Sequence, residues 1–379
     1  MKFQIDAGLL VDMVSTVAQA ITAKPVNSEC ECAYIRVTDE SGSSIMSVMA
    51  RDSGLAIAKS TDKITAIEDG EALIPAKTLL AYAKLMNGDV TVSVDDKQKC
   101  TMKCGAKKTS IVGMDADMFQ SDFSAVPDAR TAKMDGDAFE KAVSSVLHCV
   151  STNMDRMILT GVNFAFDAER GYCEATCLNG FQLAIARESA ETNDTFNVTI
   201  PANYAKLIAK IIRDGKEVSF RFGAGMVVVE DYDTSIEAAL LAGEYMDVKR
   251  LAFRDSKMQA RVNASDLLDA VRTAMIAADN GKSLILLNFE SEGTLRVTAN
   301  STLSEAVSSV SCETNGEMQN GAKEIAFNGK YVEEALRVSL EYAGEVSLLL
   351  NTPSSPMAIL PIDRDDYYQL ALPVRRMNG

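Results

Sequence analysis

One histidine and no tryptophan occur in 379 residues. His148 would have to fill every imidazole role alone, which removes most of the usual vocabulary of acid, base and metal catalysis. No run approaches the roughly 18 apolar residues of a membrane span, and the opening MKFQIDAGLL lacks the long apolar core of a secretion signal. Cytoplasmic residence without membrane contact is the expectation. Positive charge is also scarce: 38 Lys and Arg against 53 Asp and Glu leave a net charge of -15, which excludes a protein that grips phosphate over its whole surface. Any nucleic-acid contact must be local. Eight cysteines in a chain without a secretion signal fit reduced thiols better than a disulfide framework.

What is present is repetition. The length calls for two or three domains, and three segments share one template: QIDAGLLVDMVSTV (4–17), KMDGDAFEKAVSSV (133–146) and RVNASDLLDAVRTA (261–274). In each, an apolar residue (Ile5, Met134, Val262) precedes a small polar or acidic one, and apolar residues then follow at helical spacing. A second element repeats in phase, IPAKTLLAYAKLMNG (74–88), IPANYAKLIAKIIRDG (200–215) and FNGKYVEEALRVSLEYAG (327–344), each reading as a strand, a helix and a glycine stop. LAIAK (55–59) matches LAIAR (183–187), with no convincing copy in the last third. Alternating runs such as AYIRV (33–37), VTVSV (90–94), VSFRF (218–222) and LRVTA (295–299) read as strands. The fold class is therefore α+β, with three repeated domains, 1–126, 127–250 and 251–379, each two helices packed on antiparallel sheet. Formal charges of -4, -6 and -5 for these three segments leave no basic domain.

Catalytic and metal chemistry finds little footing. Cys100 with Cys104 and Cys173 with Cys177 form C-x3-C, looser than the usual zinc knuckle, and the even spacing of Cys173 and Cys177 puts both on one face of a strand. His148 and Cys149 are adjacent and so point to different sides of a helix. NGKS (280–283) ends like a phosphate loop but has Ile276 where the first glycine belongs, so no cradle of amides forms. Acidic pairs such as Asp95 and Asp96 read as solvated turns. No metal or cofactor is implied. Basic helical faces remain: Lys77 and Lys84 in the first repeat, and Lys206, Lys210 and Arg213 at the matching helix of the second.

The ordered set MKF, LTGVNF (159–164), CLNGFQLAIAR (177–187), GEYMDVKRL (243–251), FNGKYVEEAL (327–336) and DDYYQLALPVR (365–375) resembles the bacterial sliding clamp family, the beta subunit of the replicative DNA polymerase III, over nearly the whole chain. The resemblance implies three clamp domains per chain and a head-to-tail homodimer closing a ring, with helices lining the hole. It implies a non-catalytic processivity factor that encircles double-stranded DNA without reading sequence. It also implies partners: the polymerase III catalytic subunit, a clamp loader and other proteins carrying a clamp-binding peptide.

Carried over by position, the resemblance makes Lys24 and Arg156 candidates for DNA contact; the basic helical faces add Lys77, Lys84, Lys206 and Lys210, and Lys282 completes the expected set. The resemblance also places a partner-peptide pocket at Leu159, Leu178, Gly180, Phe181, Gln182, Leu183, Met246, Arg250, Leu251, Leu370, Leu372, Pro373 and Val374. Phe181, Gln182 and Met246 depart from the commoner His, Arg and Pro, which predicts an altered peptide preference. The dimer contact maps to Ile111 against Met275 and Ile276. Two other classes compete with this reading: a thiol or zinc hydrolase, disfavoured by the single histidine, and a repeat scaffold that binds proteins but no nucleic acid.

Overall fold

The computed structural model describes the chain except residues 23, 25, 26, 41, 42, 124, 125, 127, 213–215, 279–282, 291, 292 and 376–379. Among the described residues six α-helices lie at the expected places: α1 (Ala7–Val17), α2 (Ala76–Ala83), α3 (Gly136–Val146), α4 (Ala202–Ile211), α5 (Ala264–Ala277) and α6 (Gly329–Ser339). The polar residue of the repeated template is a cap. Asp6 Oδ1 accepts from the backbone N–H of Gly8 and Leu9, Asp135 Oδ1 from Asp137, and Asn263 Oδ1 from Ser265 and Asp266. Each cap satisfies N–H groups that the first helical turn leaves unpaired, a contribution of about 1 kcal/mol. The apolar positions behind it are buried, as with Leu10, Met13, Val14 and Val17 on α1 and Leu267, Ala270, Val271 and Ala274 on α5.

Among the described residues every strand pairing is antiparallel, and the four alternating runs lie in the strands Cys32–Glu40, Asp89–Val94, Glu217–Gly223 and Thr294–Asn300. The compact units, however, do not follow the repeats. One comprises residues 1–137, 190–194 and 207–240, and the other 138–189, 195–206 and 241–379. The middle repeat is divided because its strands continue the sheets of both neighbours. In the first unit, Thr234–Ala239 of the second repeat pairs with Leu55–Thr61 of the first, inside a nine-stranded sheet beside a separate five-stranded one. In the second unit, Gln182–Ser189 of the second repeat pairs with Tyr367–Ala371 of the third, inside a twelve-stranded sheet.

These ladders correct one sequence match. Counting four residues back from the start of α2, α4 and α6 gives Ala72, Val198 and Ile325, whose cross-strand partners run Ile35, Val48, Lys59; Phe164, Ala175, Ala186; and Leu287, Val297, Ser308. Lys59 therefore corresponds to Ala186, not to Arg187. LAIAK and LAIAR are one residue out of phase, and a slip of one residue exchanges the faces of a strand. Lys59 accordingly meets Asp12 of α1 at 2.9 Å, whereas Arg187 turns to Glu174 and lies over the Tyr172 ring on the outer face. The missing third copy is the strand Glu305–Gly316, which carries no LAIA-like sequence.

The cysteines follow strand geometry. Cys173 and Cys177 are both fully buried on one face of Tyr172–Leu178, where burial pushes their thiols well above the ordinary range. His148 Nε2 sits 3.0 Å from Gln369 Oε1, and desolvation brings its pKa down to about 4, Gln369 opposing the shift and Arg337 adding to it.

Candidate functional site

Leu178, Leu183 and Leu370 form a row across three strands, because Leu178 lies opposite Leu183 and Leu183 opposite Leu370 in register. They are nearly or fully buried, and with Leu159 they make the floor of a groove of about 570 Å3, within the range of ordinary ligand sites. Its rim is wet and apolar: Phe181 is 57% exposed, Met246 44% and Leu251 42%. A large apolar side chain in water is individually unremarkable, but three around one apolar floor form a patch of the kind that marks an interaction site.

Local structure explains the placement. Asn179 Oδ1 accepts from the backbone N–H groups of Phe181 and Gln182, at 2.9 and 2.8 Å, closing the turn that carries Gly180, whose φ of 89° suits glycine. Asp247 Oδ1 accepts from Lys249 N and caps the short 3-10 turn Val248–Arg250 that delivers Leu251. Ser151 N donates to Leu159 O at 3.0 Å, tying down the segment Met154–Thr160.

Ten of the expected pocket residues line this groove: Leu159, Leu178, Gly180, Phe181, Gln182, Leu183, Met246, Leu251, Leu370 and Leu372. Arg250 does not; it is solvent-exposed and sits 3.6 Å from Asp247. Pro373 and Val374 also fall outside the lining, since Val374 N donates to Ala326 O and continues the sheet edge. Ser151, Asn153, Asp155, Asn179 and Pro356 line it without having been foreseen. Arg156, expected at DNA, is in the groove wall too, with φ -126° and ψ 70° breaking the helical turn around it.

The cations expected at DNA are less concentrated. Lys77 and Lys84 are exposed at the two ends of α2, and Lys206 and Lys210 are exposed one turn apart on α4, with Lys210 Nζ 3.2 Å from Gln19 Oε1. Lys24 is exposed; Arg213 and Lys282 lie outside the described residues. Acidic residues are exposed on helices too, Asp12 on α1 and Asp266 and Asp269 on α5.

The dimer residues divide. Ile276 is 85% exposed, but Ile111 is buried in its own unit while its neighbour Val112 is 75% exposed. Met275 packs against the core of the third repeat. Among the strands that pair on one side only are Lys107–Val112, at one end of the five-stranded sheet, and the first half of Glu305–Gly316, which pairs only with Thr294–Asn300. No helix of the described residues is long and apolar enough to cross a membrane.

Comparison with known proteins agrees with this geometry. Models of the N-terminal, central and C-terminal domains of the DNA polymerase III beta subunit match residues 1–122, 133–247 and 249–375. The beta sliding clamp of Bacillus subtilis is 25% identical over 389 residues, covering 99% of this chain and 100% of the relative. The crystal structure of a DNA polymerase sliding clamp from Bacillus subtilis superimposes with a TM-score of 0.91 at 22% identity, covering 100% of both chains. That of the DNA polymerase III subunit beta from Pseudomonas aeruginosa gives 0.89 at 20% identity, covering 99% of this chain and 100% of the other. With the three domain models spanning nearly its full length and the fold of the sliding clamps throughout, the chain belongs to the DNA polymerase III beta subunit family.

Proposed function

We propose that two copies of this chain, each with domains 1–126, 127–250 and 251–379, close head to tail around duplex DNA. In this reading the ring acts in the cytoplasm as a non-catalytic sliding clamp. The observation that carries it is the pair of open strand edges. Four residues before α1, α3 and α5, the ladders run Phe3, Val92, Met102, Thr109; Ala132, Phe220, Val229, Ile236; and Ala260, Leu348, Ile359, Gln369. Within the chain, Ile236 faces Ile57 and Gln369 faces Ala184, the same pairing made twice. Thr109 and Ala306 are the equivalent residues left over. A head-to-tail contact joins them, setting Lys107–Val112 against 303–308 of the partner and leaving neither of these two edges unpaired. Exposed apolar side chains lie along both edges, Val112 on one, Leu303 and Val307 on the other, with Ile276 on α5.

A clamp held by topology needs no tight phosphate grip, so scattered lysines and a net charge of -15 are compatible with sliding. Charges beyond a Debye length of about 8–10 Å are largely screened from DNA in the hole. The apolar groove would then hold an extended peptide, carrying a glutamine and a short aliphatic or aromatic tail, from the polymerase III catalytic subunit, the clamp loader or other clamp-binding proteins. Loading on a nicked circle tests the whole: the protein should persist on the circle and leave when the circle is linearised. Equal retention on linear and circular DNA would overturn the reading.

A further inference from the structure

The segments that join the repeats cover the sheets of the two units differently. In the first unit Tyr34, Met49 and Ala58 are cross-strand partners in one row. Phe119 packs into the same apolar cluster, 7% exposed, with its ring stacked on Tyr34 and centroids 5.2 Å apart. By register the equivalent row of the second unit is Asn163, Thr176 and Ile185, polar at two of the three places. There Tyr245, Val248 and Phe253 pack against the cluster that holds Tyr368, the residue opposite Ile185. A cavity of about 900 Å3 stays open beside Asn163 and Thr176. Met246 lines both this cavity and the apolar groove, so the two spaces meet at one side chain. A peptide leaving the groove past Met246 passes into the polar cavity.

The carboxylates of the cavity wall have cations beside them. Glu174 holds Arg187 at 2.7 Å, Asp247 sits 3.6 Å from Arg250, Asp366 is paired with Arg364, and Asp365 acts on the charge of Arg187. Lys249 and Arg254 line the same cavity, are exposed, and make no ion pair among the described residues. Two unpaired cations favour a carboxylate, while the four carboxylates of the wall disfavour a chain charged at every unit, such as the phosphates of a nucleic acid.

We propose that this cavity is a second contact region, which takes acidic residues flanking the peptide seated in the apolar groove, with Lys249 and Arg254 as the recognising cations. The proposal rests on the groove being a peptide site and extends that site to a polar neighbour. With a net charge of -15 the protein repels an acidic segment at long range, so an acidic flank that strengthens binding reports a local contact. Exposed ion pairs are individually weak, and two of them amount to about a threefold to tenfold gain in affinity.

The probes are synthetic peptides with one core, a glutamine and a Leu-Phe tail, and flanks of Gly-Ser, Glu-Gly or Lys-Gly repeats at either end. Each is titrated calorimetrically into the full-length protein. One of the two Glu-flanked peptides should bind about threefold to tenfold more tightly than the Gly-Ser peptide, and its Lys-flanked counterpart should bind no better than the Gly-Ser one. The gain should shrink as salt rises from about 50 to about 300 mM. In the double variant Lys249→Gln with Arg254→Gln, the Gly-Ser peptide should bind as it does to the wild type and the gain should vanish. No gain at either end, while the core still binds, would overturn the proposal and leave the groove a peptide site. A gain that survives the double substitution would overturn the assignment to these two cations. A short oligothymidylate bound more tightly by the wild type than by the double variant, with no gain from glutamate, would assign the cavity to nucleic acid and overturn the proposal. Failure of every peptide to bind would overturn the groove reading and this proposal with it.

Discussion

The open edges make a prediction with residue-level resolution. If the contact between protomers repeats the two junctions inside the chain, Thr109 of one copy faces Ala306 of the other, as Ile236 faces Ile57 and Gln369 faces Ala184. Directly opposed residues of an antiparallel pair have Cα atoms about 4.5–5.5 Å apart, inside the roughly 4.4–6.8 Å that a disulfide spans. Thr109→Cys combined with Ala306→Cys should therefore give a covalent dimer under mild oxidation, seen on non-reducing gels. Thr109→Cys with Val307→Cys moves one thiol to the opposite face of the strand and should not crosslink. The wild type is the control for the partly exposed native Cys30 and Cys104. The strength of the contact follows from its apolar side chains: burying one fully contributes about 1.5–3 kcal/mol, and placing an unpaired carboxylate there costs more. Ile276→Glu should then weaken the dimer by at least about 10- to 100-fold in sedimentation experiments. Crosslinking that is equal in the two cysteine pairs, or absent from both while the protein is dimeric, would refute the register.

Other outcomes follow from the same geometry. Met246→Ala and Leu251→Ala, on the exposed rim, should weaken peptide binding by about tenfold with little change in melting temperature, whereas Leu183→Ala, on the buried floor, should cost about 2–5 kcal/mol of stability as well, measured by denaturant unfolding. Changing Lys77, Lys84, Lys206 and Lys210 together to Ala should lower residual affinity for linear DNA and flatten its salt dependence, read by fluorescence anisotropy, while retention on circles persists. His148, brought down to about 4 by burial, is neutral in the fold at a pH where the unfolded chain already binds a proton. Stability should therefore fall as pH drops from about 6.5 to about 4, by roughly 3 kcal/mol, and unfolding of His148→Gln across that window should show a shallower decline.

The helices were legible because their information is local. A capping residue, a 3.6-residue apolar spacing and a terminal glycine recur within about fifteen positions, and Asp6, Asp135 and Asn263 do in the structure what their places in the template imply. Strand register was not legible, because the pairing of Thr234–Ala239 with Leu55–Thr61 is decided by residues far apart in sequence. LAIAK and LAIAR illustrate the failure: five nearly identical residues stand one step apart in the two sheets, so Lys59 reaches Asp12 while Arg187 reaches Glu174 on the other face. Sequence similarity located the strands and misjudged which way they face.

The groove shows the same division between position and orientation. Ten of the residues that the resemblance names line one groove, yet the resemblance could not separate Leu183, wholly buried, from Phe181, mostly exposed, although only one residue lies between them. The separation matters for function. A floor of buried leucines is shared by the protein's own core, so truncating Leu183 and Leu370 together removes cohesion as well as contact, by an amount comparable with the 5–15 kcal/mol that holds an ordinary domain folded. The rim carries no such duty: Phe181, Met246 and Leu251 can change with little cost to the fold, and in the proposed reading these exposed positions, with Arg156 beside them, are where peptide preference varies independently of stability. Gln182 stands between the two, buried like the floor, with its amide hydrogen-bonded to Asn179 on its own turn and to Glu334 on α6.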